Sequence, residues 1–449
     1  MIPETRNNWN SYVQLQVFGC QMNKLDSELI RSLLAEEGYH FTENPDEAGT
    51  ILFVTCSVRE HAEDRVHSRI GMLKPWKKKN PHAVLAVLGC MAQEHGEKLI
   101  ARHPHLDLVV GTRDFPNLPE LLRQARDGHR GMAITSCQEA PEVLRDTAQR
   151  PFRQRAFLAV MRGCQMYCAY CVVPYVRGPE VSRDANRIVE EAQALVSDGV
   201  VEITLLGQSV NRYDDGSGCR LPGLIRRLDL LPGLQRLNFV TSYPAFVDDE
   251  LILAMAECRS VTRYLHLPVQ SGSDLILEKM KRRYTAGEYL DTVKKLREAM
   301  PDLELGSDFI VGFPGETDDD FRCTKSVMEQ VRFQQAFIFK YSPRPGTLAA
   351  RNYTDTVPEE VKKERNARLL ALQEKISREK NAATEGHIVE VLVEGQSPRD
   401  PARYIGRTIY NQIVAFPASD NHVGKRVRVR VETSTPLTLL GSDDIEVVS

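Results

Sequence analysis

The first 125 residues alternate between short apolar runs and longer polar segments with helical spacing. Tyr12–Phe18 is rich in β-forming residues, and Ile51–Thr55 and Val84–Leu88 are almost entirely apolar. Asp26–Gly38 carries leucines at positions 29, 33 and 34, which lie on one face of a helix that ends at a glycine. Continuous apolar strands that alternate with helices are typical of a parallel sheet covered on both faces. The pattern therefore predicts an open parallel α/β domain over residues 1–130.

The same rhythm returns in the middle of the chain. Six predicted strands end near Met161, Leu206, Val240, Leu267, Val311 and Phe339. Residues 150–345 are too few for the ~250 residues that eight strand-helix units of a complete barrel usually need. We therefore predict a partial (β/α)6 TIM-like barrel as the core of a domain over residues 150–380. Its last part, Val357–Lys380, is a highly charged segment that we interpret as a solvated helix packing on the barrel.

After this segment, apolar residues recur at every second position. His387–Val393 and Val427–Val431 alternate apolar and polar positions, and turn residues separate the runs. This pattern predicts a small all-β barrel over residues 384–449, close to the smallest size that folds alone.

Composition narrows the class of protein. The 449 residues contain 58 Lys and Arg against 61 Asp and Glu, a formal charge of −3, so the chain is not a uniformly basic nucleic-acid binder. Hydrophobic residues make up 42% and charged residues 27%, as in ordinary globular proteins. Neither a bilayer-length apolar run nor a signal core in residues 1–10 is present, so we expect a cytoplasmic protein without membrane association.

Three cysteines fall in equivalent places in the first domain. Cys20, Cys56 and Cys90 each follow one predicted strand, at intervals close to one βαβ unit. Because parallel strands end at the same edge of a sheet, we expect the three thiols to converge there. A single cysteine in such a place is often a small apolar core residue, but three in phase favour metal ligation. Three thiolates suit an iron-sulfur cluster that keeps one iron open, whereas structural zinc usually takes four ligands.

A second cysteine group directly follows the first barrel strand. Cys164, Cys168 and Cys171 have the spacing C-x3-C-x2-C, which wraps one side of a cubane cluster and leaves one iron without a protein ligand. A zinc finger would need a second pair of Cys or His, and none follows at that spacing. Cys137, Cys219, Cys258 and Cys323 share no phase with either group, and we interpret them as structural.

Polar and glycine residues follow the other predicted barrel strands, at the face where such barrels carry their active sites. We predict that five of them contact a cofactor: Gly207, Gln208, Gln270, Ser271 and Gly312. Glycine lets backbone amides approach a ligand closely, although each glycine alone could also form an ordinary turn.

Six motifs spread over nearly the whole chain resemble a known family. The motifs are Gly19–Asn23 with Asp26–Glu28, Thr55–Glu60, Gly89–Gln93, Val172–Pro174 with Arg177–Gly178, Gly207–Asn211 and His266–Gly272. The middle cysteine group resembles the radical S-adenosylmethionine superfamily. With the three outlying cysteines, the motifs are similar to the methylthiotransferases that thiomethylate isopentenyladenosine beside the anticodon of tRNA.

This resemblance implies two 4Fe-4S clusters. The cluster on Cys164, Cys168 and Cys171 would bind S-adenosylmethionine and reduce it to a 5′-deoxyadenosyl radical. The cluster on Cys20, Cys56 and Cys90 would hold the sulfur, methylated by a second S-adenosylmethionine, that is inserted into N6-isopentenyladenosine-37 to give the 2-methylthio product. Such C–H chemistry needs a radical cofactor, because side-chain acids and bases do not replace this hydrogen. The implied partners are the tRNA anticodon stem-loop and a low-potential electron donor such as flavodoxin, and we expect a monomer.

Residues 384–449 resemble the TRAM domain, a small RNA-binding barrel. Its binding of RNA would depend on a patch of six basic residues: Arg403, Arg407, Lys425, Arg426, Arg428 and Arg430. A structural lid is the alternative. Tyr341–Thr347 has a composition suited to substrate contact, but a turn that starts a helix would look the same.

Two other functions remain open at this point. The same chemistry could act on threonylcarbamoyladenosine in tRNA or on an aspartate of a ribosomal protein. A non-catalytic iron-sulfur protein that binds RNA is the alternative from a different class.

Overall fold

The computed structural model describes residues 9–57, 60–134 and 153–448, without the side chains of residues 60–62. They fall into two compact units. The first unit comprises the described residues up to 134 with 161–167 and 171–181, and the second comprises 153–160, 168–170 and 182–448. Within these ranges, none of the helices combines the length and the apolar character that crossing a bilayer requires.

A six-stranded parallel sheet in the order β2-β1-β3-β4-β5-β6 forms the centre of the first unit. Its strands are β1 (Tyr12–Val17), β2 (His40–Phe41), β3 (Thr50–Thr55), β4 (Val84–Gly89), β5 (Leu108–Val110) and β6 (Gly131–Ala133). The helices are α1 (Gln21–Glu36), α2 (Glu60–Met72), α3 (Lys74–Lys79), α4 (Cys90–Arg102) and α5 (Leu118–Arg126). The predicted open parallel α/β fold is confirmed.

Alternate residues of β3 explain why this strand is apolar throughout. Leu52 and Val54 pack into one hydrophobic cluster, together with Leu34 of α1 and Leu122 of α5. Ile51 and Phe53 pack into another cluster, with residues of α2 and α4. Both faces of the sheet are therefore covered, as continuous apolar strands require. The sequence pattern missed β2, β5 and β6, because strands of two or three residues are too short to show a period.

Six parallel strands form the partial barrel of the second unit. They are β7 (Arg155–Ala159), β10 (Glu202–Leu206), β11 (Arg236–Phe239), β12 (Tyr264–His266), β13 (Glu304–Val311) and β14 (Gln335–Lys340), and the short strands β8 (Met161–Arg162) and β9 (Val181–Ser182) lie along the chain between β7 and β10. The sheets β7-β10-β11 and β12-β13-β14 meet at a parallel bridge between Leu237 and Val261. The six strands match the six predicted ends, so the partial barrel is confirmed.

Helices follow the barrel strands along the chain. They are α6 (Val173–Arg177), α7 (Ala185–Ser197), α8 (Leu221–Asp229), α9 (Asp249–Glu257), α10 (Asp274–Lys279), α11 (Ala286–Ala299), α12 (Asp318–Val331), α13 (Leu348–Asn352) and α14 (Glu359–Ala382). The charged helix α14 packs on the barrel through a buried stripe that includes Leu369 and Ile376. Its Arg365 is buried and bonds Glu316 Oε2 and Asp318 Oδ1, each at 2.7 Å.

Five strands close the C-terminal barrel in the order β15-β16-β17-β19-β18. They are β15 (Ile388–Gln396), β16 (Arg403–Arg407), β17 (Ile413–Pro417), β18 (Arg426–Ser434) and β19 (Leu439–Val448). The valines of β18 at 427, 429 and 431 are buried, which confirms the predicted alternation. The small barrel docks on the larger one through Arg155, whose guanidinium lies 2.9 Å from Glu202 and 2.8 Å from Glu394 of β15.

We predict that Arg365→Met lowers the free energy of unfolding by about 3–5 kcal/mol, because it leaves the fully buried carboxylate of Glu316 without its cation. Chemical denaturation followed by far-ultraviolet circular dichroism measures this change. Arg378→Met is the control, since Arg378 is exposed and pairs with Glu374 on the helix surface, an interaction of about 0.3–0.5 kcal/mol. Equal stability of the two variants would contradict the prediction.

Candidate functional site

The three outlying cysteines lie at the carboxyl ends of three neighbouring strands. Cys20 follows β1 and caps α1, Cys56 follows β3, and Cys90 is the first residue of α4 after β4. Gly19 has a φ of +115°, and a Cβ on it would lie 2.3 Å from Cβ of Cys56. Glycine is therefore required here for the two cysteine loops to approach.

The thiols of this group interact with one another. A hydrogen bond from Cys56, assisted by the positive charge of Arg177, lowers the pKa of the Cys20 thiol to about 6. Burial raises the pKa of the Cys90 thiol to about 11, and the charge of Cys20 adds to this effect. The three sulfurs thus share one electrostatic environment.

Arg177 is the cation of this environment. Its Nε donates to Cys90 Sγ at 3.2 Å, and its Nη2 donates to Asp26 Oδ2 at 2.6 Å and to Asn23 Oδ1 at 3.2 Å. The side chain of Arg177 is 5% exposed and that of Asp26 is fully buried. The sequence alone gives these motif residues no role, because nothing in their spacing shows that a residue after the second cysteine group contacts the first.

The first cysteine group fits an iron-sulfur cluster in its donor chemistry. It offers soft sulfur ligands, which are those that such clusters take. Two buried donor atoms lie close to these cysteines in the chain or in space: Ser57 Oγ and Arg177 Nη1. Neither has a hydrogen-bond partner among the described residues. Buried polar groups are normally satisfied, so donors of this kind suit an anionic group with acceptor sulfurs.

The second cysteine group lies in the segment between β8 and α6. Cys164 and Cys168 are buried and Cys171 is half-buried. Gly163, just before the group, has a φ of +79°, and a Cβ on it would lie 1.7 Å from the carbonyl oxygen of Pro179. The backbone N–H of Cys164 donates to Gly178 O at 3.0 Å, which holds the start of the segment. No disulfide bond joins the cysteines in the described part of the chain, and Cys137 lies outside it.

A second arginine contacts this group. Arg282 Nη1 donates to Cys168 Sγ at 3.4 Å, while its Nε donates to Tyr284 Oη at 2.8 Å. The guanidinium also lies 4.0 Å from the ring centroid of Tyr243. Next to Cys168, the backbone of Ala169 bonds Met280 and Ala349. Arg282 was missed by sequence analysis, because it lies more than a hundred residues beyond the cysteine that it contacts.

Gly207 and Gln208 follow β10, at the face predicted for ligand binding. Gln208 Oε1 is buried and has no hydrogen-bond partner among the described residues. Asn211, in the same motif, exchanges two hydrogen bonds of 2.8 Å with the backbone of Tyr243. Sequence analysis gave Asn211 no structural role, and the structure assigns it the bracing of this loop.

Gln270, Ser271 and Gly312 are engaged within the barrel. Gln270 has a φ of +71° and bridges β13 through the backbone of Asp308 and Ile310. Ser271 Oγ lies 3.2 Å from Thr324 Oγ1. A Cβ on Gly312 would lie 2.3 Å from Cγ of Lys362 in α14. The absence of a side chain at Gly312 therefore lets Lys362 of α14 pack closely against this backbone. Cofactor contact by these residues stays a prediction.

The remaining predicted residues lie elsewhere. Cys258 follows α9 and Cys323 lies in α12. Tyr341 is buried against Phe313, and Thr347 caps α13, so Tyr341–Thr347 is a turn that starts a helix. In the C-terminal barrel four of the six basic residues pair with carboxylates: Arg403 with Asp400, Arg407 with Glu394, Arg426 with Glu390 and Arg428 with Glu446.

Family models match three parts of the chain. They are the uncharacterized protein family UPF0004 at residues 12–111, the Radical SAM superfamily at 158–325 and the TRAM domain at 382–442.

Solved structures that resemble the chain have low sequence identity and therefore bear on the fold alone. The radical S-adenosylmethionine methyltransferase TsrM from Kitasatospora setae is 14% identical with a TM-score of 0.56, covering 76% of this chain and 74% of its own. The cobalamin-dependent S-adenosylmethionine radical enzyme OxsB is 12% identical with a TM-score of 0.52, covering 81% and 61%.

Curated relatives align over almost the whole chain. A tRNA-2-methylthio-N(6)-dimethylallyladenosine synthase from Acetivibrio thermocellus is 45% identical over 434 residues, covering 95% of this chain and 90% of its own. The protein of the same name from Clostridium novyi is 43% identical over 441 residues, covering 97% of each. The chain belongs to the family of tRNA-2-methylthio-N(6)-dimethylallyladenosine synthases.

Proposed function

We propose that this protein is a radical S-adenosylmethionine methylthiotransferase that converts N6-isopentenyladenosine-37 of tRNA to its 2-methylthio derivative. The observation that carries the proposal is the convergence of Cys20, Cys56 and Cys90 at one sheet edge, in a chain that also holds the C-x3-C-x2-C segment. The relatives that share the full length of the chain carry the name of this activity.

Each cysteine group has three thiols, which we assign as ligands of one 4Fe-4S cluster. When bound, the clusters and S-adenosylmethionine supply the electron, the radical and the sulfur that a C–H bond of an adenine ring requires. The protein's own residues hold these groups in register and keep water away, and the burial of Cys56, Cys90, Cys164 and Cys168 serves this purpose.

The inner face of the partial barrel suits an adenine base. On β13 the residues facing the helices are buried, whereas Asp308 and Ile310 on the opposite face are half-buried. His266 Nε2 lies 3.4 Å from Asp308 Oδ2, and its ring meets Phe337 edge-on at 6.0 Å. A polar pair beside an aromatic ring offers hydrogen bonds and stacking, which are what recognition of an unstacked base needs.

We assign the RNA backbone to the outer face of β18. Arg428 and Arg430 are exposed and Arg426 is half-buried, all on the face opposite the buried valines. Two of these arginines have carboxylate partners, so the patch is weaker than its residues alone indicate. We further expect a monomer that takes electrons from a low-potential donor such as flavodoxin.

We predict that Cys164→Ala abolishes 5′-deoxyadenosine formation, because the remaining cysteines of the segment no longer complete the cluster that reduces S-adenosylmethionine. Anaerobically reconstituted protein with dithionite and S-adenosylmethionine, analysed by liquid chromatography, gives the measurement. Cys323→Ala, at an exposed cysteine of α12, is the control and should retain the product. Undiminished 5′-deoxyadenosine from Cys164→Ala would remove the assignment.

We predict that Cys56→Ala keeps S-adenosylmethionine cleavage measurable but stops sulfur insertion, because the two functions use different cysteine groups. Mass spectrometry of tRNA nucleosides from a strain lacking the protein should show isopentenyladenosine in place of its 2-methylthio form. The wild-type gene restores the product and the Cys56→Ala gene does not.

If threonylcarbamoyladenosine loses its methylthio group instead, the proposed substrate is wrong. If the wild-type protein forms no 5′-deoxyadenosine with both clusters intact, it is a binding protein.

We predict that replacing Arg426, Arg428 and Arg430 together by Gln weakens tRNA binding and lowers the slope of log affinity against log salt by about 2 to 3. Filter binding across a salt series measures both quantities. The same replacement at three arginines on the barrel helices, the half-buried Arg226 and the exposed Arg322 and Arg378, removes equal charge and should leave the slope unchanged. Equal slopes in the two triple variants would assign the small barrel a structural role only.

A further inference from the structure

Both cysteine groups have one arginine that donates a hydrogen bond to one of their sulfurs. Arg177 Nε reaches Cys90 Sγ at 3.2 Å, and Arg282 Nη1 reaches Cys168 Sγ at 3.4 Å. Each arginine belongs to the same compact unit as the cysteine that it contacts. A guanidinium within hydrogen-bond distance of each sulfur suits a sulfur that carries negative charge as a cluster ligand.

Arg282 has no carboxylate partner among the described residues. Its other partners are neutral: the hydroxyl of Tyr284, the carbonyl of Pro268 and the ring of Tyr243. A half-buried cation without an anionic partner is unfavourable. A negatively charged cluster on this cysteine group would supply the anion that Arg282 lacks among the described residues.

Arg177 differs in one respect. Its charge is shared with the buried carboxylate of Asp26 at 2.6 Å, so less of it remains for Cys90. Its Nη1 nevertheless is a buried donor that no described residue satisfies. The arginine beside the outlying group is thus partly neutralised, whereas the arginine beside the C-x3-C-x2-C segment is not.

We propose that Arg177 and Arg282 are positioning residues that raise the reduction potential of the cluster held by their own cysteine group. The inference rests on the proposed function, because it needs a cluster on each group. Hydrogen bonds and positive charge at ligand sulfurs stabilise the reduced, more negative cluster relative to the oxidised one. Because Asp26 offsets part of the charge of Arg177, removal of Arg282 has the larger effect.

The experiment measures each cluster alone in the full-length chain. Arg282→Met is placed in a background with Cys20, Cys56 and Cys90 changed to Ala, and Arg177→Met in a background with Cys164, Cys168 and Cys171 changed to Ala. After anaerobic reconstitution, redox titration followed by electron paramagnetic resonance gives each midpoint potential. We expect a more negative midpoint in both variants, with the larger shift for Arg282→Met.

Matched controls separate a contact from a change of net charge. Arg283→Met removes an exposed charge next to Arg282, and Arg123→Met removes an exposed charge on α5 of the first unit. Both should leave the midpoints of their parent backgrounds unchanged. Arg177→Lys and Arg282→Lys keep the charge but lose the planar donor array, so each should recover part of the shift in midpoint potential.

A second variant tests the inference in case Arg177→Met does not fold. Arg177→Met combined with Asp26→Asn removes both buried charges; it should load iron and show a more negative midpoint than Asp26→Asn alone in the same background. Midpoints equal to those of Arg283→Met and Arg123→Met, with iron content unchanged, would overturn the inference and leave the proposed function intact. Parent backgrounds that bind no iron would instead overturn the proposed function.

Discussion

The parallel direction of β1, β3 and β4 is the constraint on which the first cysteine group depends. Neighbouring strands that run the same way end at the same edge, so residues shortly after each strand meet although they are far apart in sequence. The positive φ of Gly19, and the closeness of Cys56 to it, indicate how little space this meeting leaves.

Charge balance is the second constraint on these sites. Buried thiolates are costly unless cations or hydrogen bonds compensate them. The structure supplies one arginine to each group, Arg177 to Cys90 and Arg282 to Cys168. Both arginines are held by further bonds, to Asp26 and Asn23 in one case and to tyrosines in the other. Each cysteine group therefore has a cation within hydrogen-bond distance of one of its sulfurs.

Ion pairs and a hydrogen bond join the two barrels of the second unit. Arg155 bonds Glu202 of the larger barrel and Glu394 of the smaller one, and Arg236 donates to the carbonyl of Arg407. Helix α14 adds the buried pair between Arg365 and Glu316. The small barrel therefore packs against the larger one through charged contacts.

The sequence by itself determined the fold class, because its signals are local. Apolar runs such as Val84–Leu88, the alternation at Val427–Val431 and the spacing of Cys164, Cys168 and Cys171 are readable without any partner. Only the tertiary structure decided which cations serve the cysteines, that Gly312 faces Lys362, and that most of the basic residues in the small barrel have carboxylate partners. Each of these is a contact between residues distant in the chain, and no local period encodes such a contact.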